Sequence, residues 1–327
     1  MAMNERFGGI GWVVRQRALY VAILLWLLLC GVGLLFSRHT PSYRGLVTGS
    51  SEYLVLVVLM FGLVVLLTRK RPVIDLAQRA PESSIARRET LAMWAYAAAV
   101  MVAGRLIGQH LFGEGIALHL NGSLVGATRV QSPIEVYTWA AYNGILLALI
   151  PYVVFRMRGY SNEQLNLKSA NLKSDLLVIV VVLAFSAGMD MMGSNIFQLT
   201  RHQQIVGGLM SFWLHLFGTD LPIMIVIYSI LMPRYFKLFS PMTAYLLGAL
   251  SYPTIHIFES GTRYDSIRAA AMSLTFVYLL LIPAGLMKSF LTWRTGNAWV
   301  HVWAYHAISP HVTVDTRLIV NDFGIEG

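Results

Sequence analysis

The chain has 327 residues, of which 56% are hydrophobic and only 13% are charged, whereas soluble domains carry about 25% charged residues. This composition excludes an ordinary soluble domain and predicts an integral membrane protein. The formal net charge is +9, but in a membrane protein the basic residues set orientation, so the charge does not indicate nucleic-acid binding. Cys30 is the only cysteine, which excludes an internal disulfide and a cysteine-based zinc site.

Apolar segments recur along the whole chain at the length of a membrane-spanning helix, which is about 20 residues. Lipid offers no partner for a free backbone amide, so helices are the expected form of each segment. We predict an all-α polytopic membrane protein with about eight or nine transmembrane helices. The predicted spans are residues 18–36, 52–68, 91–112, 136–156, 175–192, 207–232, 242–258, 271–293 and 297–312.

These spans divide the chain into two parts and a tail. Residues 1–135 form an N-terminal membrane segment with three spans, residues 136–312 form a helical core with short connections, and residues 313–327 form a polar, peripheral tail. No internal repeat is visible, which argues against the inverted repeats of many transporters. A transporter is therefore the weakest functional alternative.

Basic residues are concentrated in the loops after the second and fourth predicted spans. They are Arg69, Lys70, Arg71, Arg87 and Arg88 in the first loop, and Arg156, Arg158, Lys168 and Lys173 in the second. The positive-inside rule places both loops, and the N-terminus, in the cytoplasm. We expect an integral protein of a bacterial cytoplasmic (inner) membrane, in contact with membrane lipids and with another membrane protein or complex.

Several ionisable residues fall within or near predicted spans, where they are costly to bury and are candidates for function. They are Arg105, His110, His215, Asp220, His256, Glu259, His301, His306 and His311. Most have a structural alternative. Arg105 is expected to snorkel or to bond a backbone carbonyl, Asp220 precedes Pro222 and is a candidate helix cap, and His110 lies near a span end.

The last three histidines are spaced by five residues. On an α-helix this spacing separates neighbouring side chains by about 140°. We therefore do not expect His301, His306 and His311 to face one site, and a three-histidine metal cluster within that helix is not expected. His256 and His306 alone would each be interpreted as interhelical hydrogen-bonding residues.

The surroundings of His256 and His306 resemble motifs of a known family. Ser240-Pro241 opens a run that ends in Tyr252-Pro-Thr-Ile-His256, which is similar to an F-x-x-x-H motif with tyrosine in place of phenylalanine. The run FLTWRTGNAW precedes His306, as in the family's last motif. Over residues 150–312 the order and spacing resemble the CPBP family, the membrane proteases that include CAAX prenyl endopeptidases and bacteriocin-processing enzymes.

The chain departs from this family at the paired-glutamate motif E-E-x-x-x-R. Arg234 takes the position of the motif arginine, but Ser229 and Ile230 occupy the glutamate positions. In the family, a glutamate and histidines activate a water molecule that attacks a peptide bond. The resemblance implies catalytic roles for His256, His306 and Arg234, and the missing glutamates put that catalysis in doubt.

Two main hypotheses follow from the resemblance. The first is a catalytically degenerate CPBP-like core that acts as a scaffold or accessory subunit. It would hold a partner helix, an isoprenoid-like lipid or a pigment in a pocket lined by Tyr252, Trp299, Trp303 and Tyr305.

The alternative hypothesis is an active intramembrane or prenyl-type endopeptidase that uses His256 and His306 with a substitute carboxylate. Glu259 follows His256 by three residues and lies on nearly the same helix face, and Asp220 is the second candidate. A sharper form is a zinc site of His256, His306 and Glu259, because two histidines and one carboxylate are competent zinc ligands.

Overall fold

The computed structural model describes residues 12–38, 40–72, 74–120 and 131–327. Regular secondary structure in these ranges is entirely helical, which confirms the all-α prediction. Within the same ranges, seven helices are long and apolar enough to cross a membrane. The length and composition of these helices are compatible with an integral membrane protein.

We number the main helices in chain order. They are α1 (Arg17–Ser37), α2 (Ser42–Leu67), α3 (Ser83–Phe112), α4 (Pro133–Met157), α5 (Leu172–Gly193), α6 (Arg201–Leu238), α7 (Pro241–His256), α8 (Ile267–Thr295), α9 (Ala298–His301), α10 (Ser309–Thr313) and α11 (Thr316–Asp322). Short 3₁₀ turns occupy Leu76–Arg79 and Ile196–Gln198, and π-helical segments occupy Gly144–Leu149, Leu216–Asp220, Met224–Leu231 and Val302–His306.

Two of the predicted spans are shorter than expected. Helix α7 has 16 residues, or roughly 24 Å at the α-helical rise, which is less than the hydrocarbon core of about 30 Å. Predicted span 297–312 is divided into α9, a π-helical segment and α10. Pro310 stands in the first turn of α10, because proline has no N–H with which to continue a preceding helix.

Helix α6 forms the centre of the molecule and α1 lies at its periphery. The apolar window of α6 is 89% buried, whereas that of α1 is 6% buried. Thr200 caps α6 through a reciprocal arrangement with Gln203, which satisfies two free donors at the helix start. Side chains in this window of α6 therefore lie in the protein interior, whereas Ile205, Leu209 and Trp213 in the first half of α6 are exposed.

Helices α7 and α8 approach each other unusually closely at Pro253. Proline lacks the N–H that would bond the carbonyl of Ala249 four residues earlier. That freed carbonyl oxygen faces Gly285 of α8, where an added Cβ would lie 2.2 Å from it. Glycine is required at this crossing, and the close approach brings Tyr252 of α7 against Lys288 of α8.

The segment after α10 is packed against the rest of the protein. Ile319 is fully buried, and Val320 contacts Gly207 of α6. Asp322 accepts a hydrogen bond from the Gln131 N–H at 2.8 Å. The C-terminal segment thus joins α6 to the start of α4, whereas the sequence suggested only a peripheral tail.

Candidate active site

Ionisable side chains from six parts of the chain meet in the interior of the helix bundle. They are His119 from the segment after α3, His215 and Asp220 from α6, His256 and Glu259 from the end of α7, Lys288 from α8, His306 from the π-helical segment after α9, and His311 and Asp315 from α10 and the turn after it. We call this set the histidine cluster.

The outer group of the cluster consists of His119, His256 and Glu259. The His256 Nδ1–H donates to Glu259 Oε1 at 2.8 Å, and the His119 backbone N–H donates to the same oxygen at 2.9 Å. The two imidazole rings stack at 4.3 Å. The side chains of His119 and Glu259 are 12% and 19% exposed, so this group is the end of the cluster that reaches the protein surface.

The backbone before His119 is held firmly in an unfavourable conformation. Leu118 is fully buried and has a positive φ of 60°, which is rare for a bulky residue. Its carbonyl accepts from Trp139 Nε1 at 2.8 Å and from Thr219 Oγ1 at 3.0 Å. Asn143 accepts from its N–H. Strained backbone held in this way is often found at functional sites.

The inner group of the cluster consists of Asp220, His306 and His311. His306 Nδ1 lies 3.0 Å from Asp220 Oδ1, and His311 Nε2 lies 3.6 Å from the same oxygen. On its other side, the His311 Nδ1–H donates to Asp315 Oδ2 at 2.8 Å. All three members of the inner group are at most 1% exposed.

His215 extends the inner group toward α4. Its Nδ1–H donates to the Ser211 carbonyl at 2.9 Å, and its ring stacks on that of His311 at 4.4 Å. Its Nε2 lies 3.5 Å from Asp315 Oδ2. His215 therefore belongs to the cluster, but its contacts are with His311 and Asp315.

Tyr252 and Lys288 connect the two groups. The ring of Tyr252 lies edge-on to His256 at 4.7 Å and to His306 at 6.0 Å. Lys288 is 1% exposed, and its Nζ lies 3.4 Å from the centroid of the Tyr252 ring. Its amino group is within electrostatic range of Asp220. The site thus places an amine beside the tyrosine whose ring contacts both histidines.

Of His301, His306 and His311, which the α-helical spacing predicted to face different sides, His306 and His311 both approach Asp220. Among the described residues, His301 is in none of the sets with metal-ligand spacing. The three rings are 6.3 and 5.2 Å apart in succession. The reason is the π-helical segment, in which the Ala307 N–H bonds the Val302 carbonyl five residues earlier. A turn with that bonding pattern contains more residues than an α-helical turn, so side chains five apart lie closer together than they would on an α-helix.

The zinc combination expected from the sequence is divided between the two groups. His256 and Glu259 belong to the outer group, and His306 belongs to the inner group. Among the described residues, the sets with metal-ligand spacing are His119, His256 and Glu259; His215, His311 and Asp315; and Asp220, His306 and His311. The contact between His256 and Glu259 that their three-residue spacing predicted is nevertheless present, as a direct hydrogen bond.

Many ring nitrogens of the cluster have no hydrogen-bond partner. His215, His256 and His311 share one arrangement, in which Nδ1–H is bonded to an oxygen and Nε2 is buried without a hydrogen bond. Both Asp220 oxygens and both His306 nitrogens are also buried without a hydrogen bond. Buried polar atoms are normally bonded, so a concentration of such atoms is the pattern expected where a ligand or water binds.

Arg234 lies outside the histidine cluster. Its Nε donates to Glu89 Oε2 at 2.8 Å and its Nη1 to the Ile230 carbonyl at 2.6 Å. It is fully buried beside the rings of Phe155 and Tyr160. Because Arg234 follows Asp220 by 14 residues on α6, it lies roughly 20 Å away along the helix. Its contacts indicate a structural role.

The four expected pocket aromatics lie in different surroundings. Tyr252 contacts His256 and His306, while Tyr305 lies 5.8 Å from Lys288 Nζ and its hydroxyl contacts that of Tyr53. Trp299 and Trp303 stack on each other, and Trp303 stacks on Phe212. Only Tyr252 is therefore in ring contact with the histidines that define the site.

Arg105 makes the type of contact expected from the sequence. Its Nη1 donates to the backbone carbonyl of Glu259 at 3.1 Å. This bond ties α3 to the turn that carries Glu259, and Gly115 packs against Ser260 in the same turn. Arg105 thus supports the outer group from behind without entering it.

Sequence reasoning missed three members of the cluster. Lys288 lies inside a predicted span, and the rule that selected Arg105 applies to it equally. Asp315 follows His311 by four residues, a spacing that brings side chains together on a helix. His119 gave no signal in the sequence, because only the tertiary contacts of Leu118 bring it into the bundle.

Comparison with known proteins returned no match from family models, from curated proteins or from solved structures.

Proposed function

We propose that this protein is an intramembrane hydrolase that cleaves a peptide bond in a membrane-anchored substrate, with His256 as the general base. The observation that carries the proposal is the state of the His256 ring. Its Nδ1–H is bonded to Glu259, while its Nε2 is buried and has no hydrogen-bond partner. An imidazole oriented by a carboxylate and presenting a free lone pair is the arrangement used for proton abstraction in many hydrolases.

The chemistry requires the following steps. His256 Nε2 takes a proton from water, the water oxygen forms a bond to the carbonyl carbon, and the carbonyl oxygen gains negative charge. Lys288 Nζ, beside Tyr252, donates a hydrogen bond to that oxygen in a region from which water is largely excluded. The C–N bond then breaks, and the imidazolium returns its proton to the leaving amine.

In this proposal, Glu259 takes the role of the motif glutamates that this chain lacks. It orients His256 and stabilises the imidazolium that forms during the reaction, as the aspartate of a catalytic triad does. Arg234 has no part in this proposal, because its contacts are with Glu89. The peptide nature of the substrate rests on the resemblance of the His256 and His306 segments to the protease family.

The predicted orientation gives the side of the membrane from which water enters. With the N-terminus in the cytoplasm, α3 ends on the opposite side, and so do His119 and the turn that holds Glu259. The partial exposure of these two side chains supports water entry there. The substrate would approach between helices, because the inner group is enclosed by the bundle.

A scaffold or accessory subunit is the second candidate. The observation in its favour is the loss of the glutamate pair, since Ser229 and Ile230 are buried at those positions and Arg234 is engaged by Glu89. Such a protein would hold a membrane partner, a lipid or a pigment beside Tyr252. It does not account for so many ionisable groups buried at membrane depth, which are costly unless they have a use.

The test compares new protein termini in membranes from cells that produce the wild type, His256→Gln or His202→Gln. His202 is an exposed histidine on α6 and serves as the matched control. We expect the wild type and His202→Gln to generate the same cleaved termini, and His256→Gln to generate them about 10²–10⁴-fold more slowly.

Equal cleavage by the wild type and His256→Gln would refute the proposal, as would the absence of any cleaved terminus relative to cells without the protein. In the second case, a membrane protein that copurifies equally with the wild type, His256→Gln and His306→Gln would support the scaffold.

A further inference from the structure

We propose that Asp220, His306 and His311 bind a divalent transition-metal ion of the zinc class. The three residues come from α6, from the π-helical segment after α9 and from α10, so their meeting depends on the tertiary fold. One carboxylate and two imidazoles form a donor set that Zn²⁺ commonly uses. The inference concerns the inner group and stands without the hydrolase proposal.

The spacing of the donor atoms fits a metal site. Asp220 Oδ1 is 3.0 Å from His306 Nδ1 and 3.6 Å from His311 Nε2. Ligands bound to zinc at about 2.0–2.1 Å with tetrahedral angles lie roughly 3.3 Å from one another. The two observed separations lie on either side of this value, so small shifts would complete the coordination.

The donor atoms make no hydrogen bonds within the described part of the protein. Both oxygens of Asp220, both ring nitrogens of His306 and Nε2 of His311 have no hydrogen-bond partner. Although Asp220 and His306 are close, their atoms do not have the alignment of a hydrogen bond. A buried ion pair contributes stability only when its remaining atoms are also bonded. This arrangement is unfavourable as a structural pair and suitable for a bound cation.

The residues around the donors orient them as in known metal sites. A metal-bound histidine usually donates its other ring N–H to a carboxylate or a backbone carbonyl. The His311 Nδ1–H donates to Asp315 Oδ2 at 2.8 Å, which directs the lone pair of Nε2 toward Asp220. Beside it, the His215 Nδ1–H donates to the Ser211 carbonyl, which keeps that neighbouring ring in a fixed orientation.

The outer group is a weaker candidate for the same ion. Glu259 Oε1 already accepts hydrogen bonds from the His119 backbone N–H and from His256 Nδ1–H. A metal there would have to replace at least the second of these bonds. In the inner group no such bond has to be broken at the three donor atoms.

Three protein ligands would leave a fourth position for water, as in catalytic rather than structural zinc sites. The hydrolase proposal does not require this water, because His256 belongs to the outer group. If it is not correct, the inner group would still bind the metal.

The experiment measures metal in the purified full-length protein in detergent. Elemental analysis after growth with zinc should find about one zinc per chain. After removal of the zinc with a chelator, addition of Co²⁺ should produce the visible absorption bands of a tetrahedral Co²⁺ site. Asp220→Asn, His306→Gln and His311→Gln should each lose the metal and the bands, while His202→Gln and His110→Gln, at exposed positions, should retain both.

A graded variant separates metal binding from folding. Asp315→Asn removes the charge that orients His311 but none of the three ligands, and should weaken Co²⁺ binding by roughly 10–100-fold. Thermal unfolding of each variant without metal shows whether it is folded. Zinc should raise the unfolding temperature of the wild type but not that of Asp220→Asn.

Several results would overturn the inference. They are a wild type that takes up neither Zn²⁺ nor Co²⁺, retention of metal by folded Asp220→Asn and His311→Gln, and loss of metal on His256→Gln with retention on His306→Gln. Failure of the hydrolase proposal is recognised separately, because a protein that binds zinc in this way but cleaves nothing retains the metal site.

Discussion

The two ends of the helix bundle bury ionisable groups in different ways. At the end that holds the basic loops, Arg79 bonds Asn166 Oδ1 and the Gly296 carbonyl, and Glu89 accepts from Arg234 and from the Tyr160 hydroxyl. We call these contacts, together with the Arg71–Asp175 ion pair, the basic network. In the histidine cluster, by contrast, many ring nitrogens and both Asp220 oxygens are without hydrogen bonds.

This difference separates groups that stabilise the fold from groups kept for another purpose. A buried charge is tolerated when its hydrogen bonds are completed inside the protein. The basic network meets that condition at all of its described charged groups except one atom, Arg234 Nη2, which lies 2.7 Å from Glu89 Oε2 without a hydrogen bond. The network ties the loops after α2 and α4 to the end of α8. The histidine cluster does not meet it, which is the pattern expected where a substrate, an ion or water completes the bonding.

The largest expected effect comes from breaking the basic network. Glu89 is buried and faces Arg234, Arg158 and Tyr160 at 2.7–2.9 Å. Glu89→Ala leaves the Arg234 guanidinium buried without its carboxylate, and we expect it to lower the free energy of unfolding by about 3–5 kcal/mol. Denaturant or thermal unfolding in detergent measures the change.

Glu82→Ala is the matched control, since Glu82 is exposed at the start of the same helix and its loss should have little effect. If Glu89→Ala and Glu82→Ala unfold like the wild type, the basic network is not a stabilising element and the contrast between the two ends fails.

A second prediction disturbs the histidine cluster without removing a polar group. Gly285→Ala places a methyl group against the Ala249 carbonyl and should force α7 and α8 apart, which separates Tyr252 from Lys288. Overpacking of this kind costs about 1–3 kcal/mol. We expect a lower unfolding temperature, and weaker activity or metal binding, in the same assays used for the site.

Gly62→Ala provides the comparison for that substitution, because Gly62 lies in α2 with open space around it and alanine favours a helix. Equal stability of Gly285→Ala and Gly62→Ala would mean that the two helices are free to adjust, and that the close crossing does not hold the site together.

Local patterns in the sequence predicted the class of fold and part of the site. Nine spans were predicted from the apolar segments, and seven of them correspond to helices long and apolar enough to cross a membrane among the described residues. The three-residue spacing of His256 and Glu259 predicted their contact. The five-residue spacing of His306 and His311 predicted different faces because an ideal α-helix was assumed, whereas the chain here has a π-helical segment up to His306 followed by a turn. His119 depends on hydrogen bonds between Leu118 and residues in α4 and α6, and no local pattern contains that information.

The smallest expected effect concerns Asp322, which lies outside the candidate spans. It is an intermediate case between the basic network and the histidine cluster, because only one of its two oxygens is hydrogen-bonded. Its Oδ1 accepts from the Gln131 N–H, while its Oδ2 has no hydrogen-bond partner. The pKa of Asp322 is raised to about 6, chiefly by burial and to a smaller extent by the charge of Glu135, while the hydrogen bond from the Gln131 N–H opposes the rise. In the unfolded chain the pKa is near 3.9, so the folded protein binds more protons between about pH 4 and pH 6, and stability falls as pH rises through that window.

Asp322→Asn removes the titrating group, so its unfolding temperature should decline less than that of the wild type between pH 4.5 and 7.5. Identical pH dependence in the two proteins would show that the carboxylate is solvated in the folded state, and Asp322 would then not be an intermediate case.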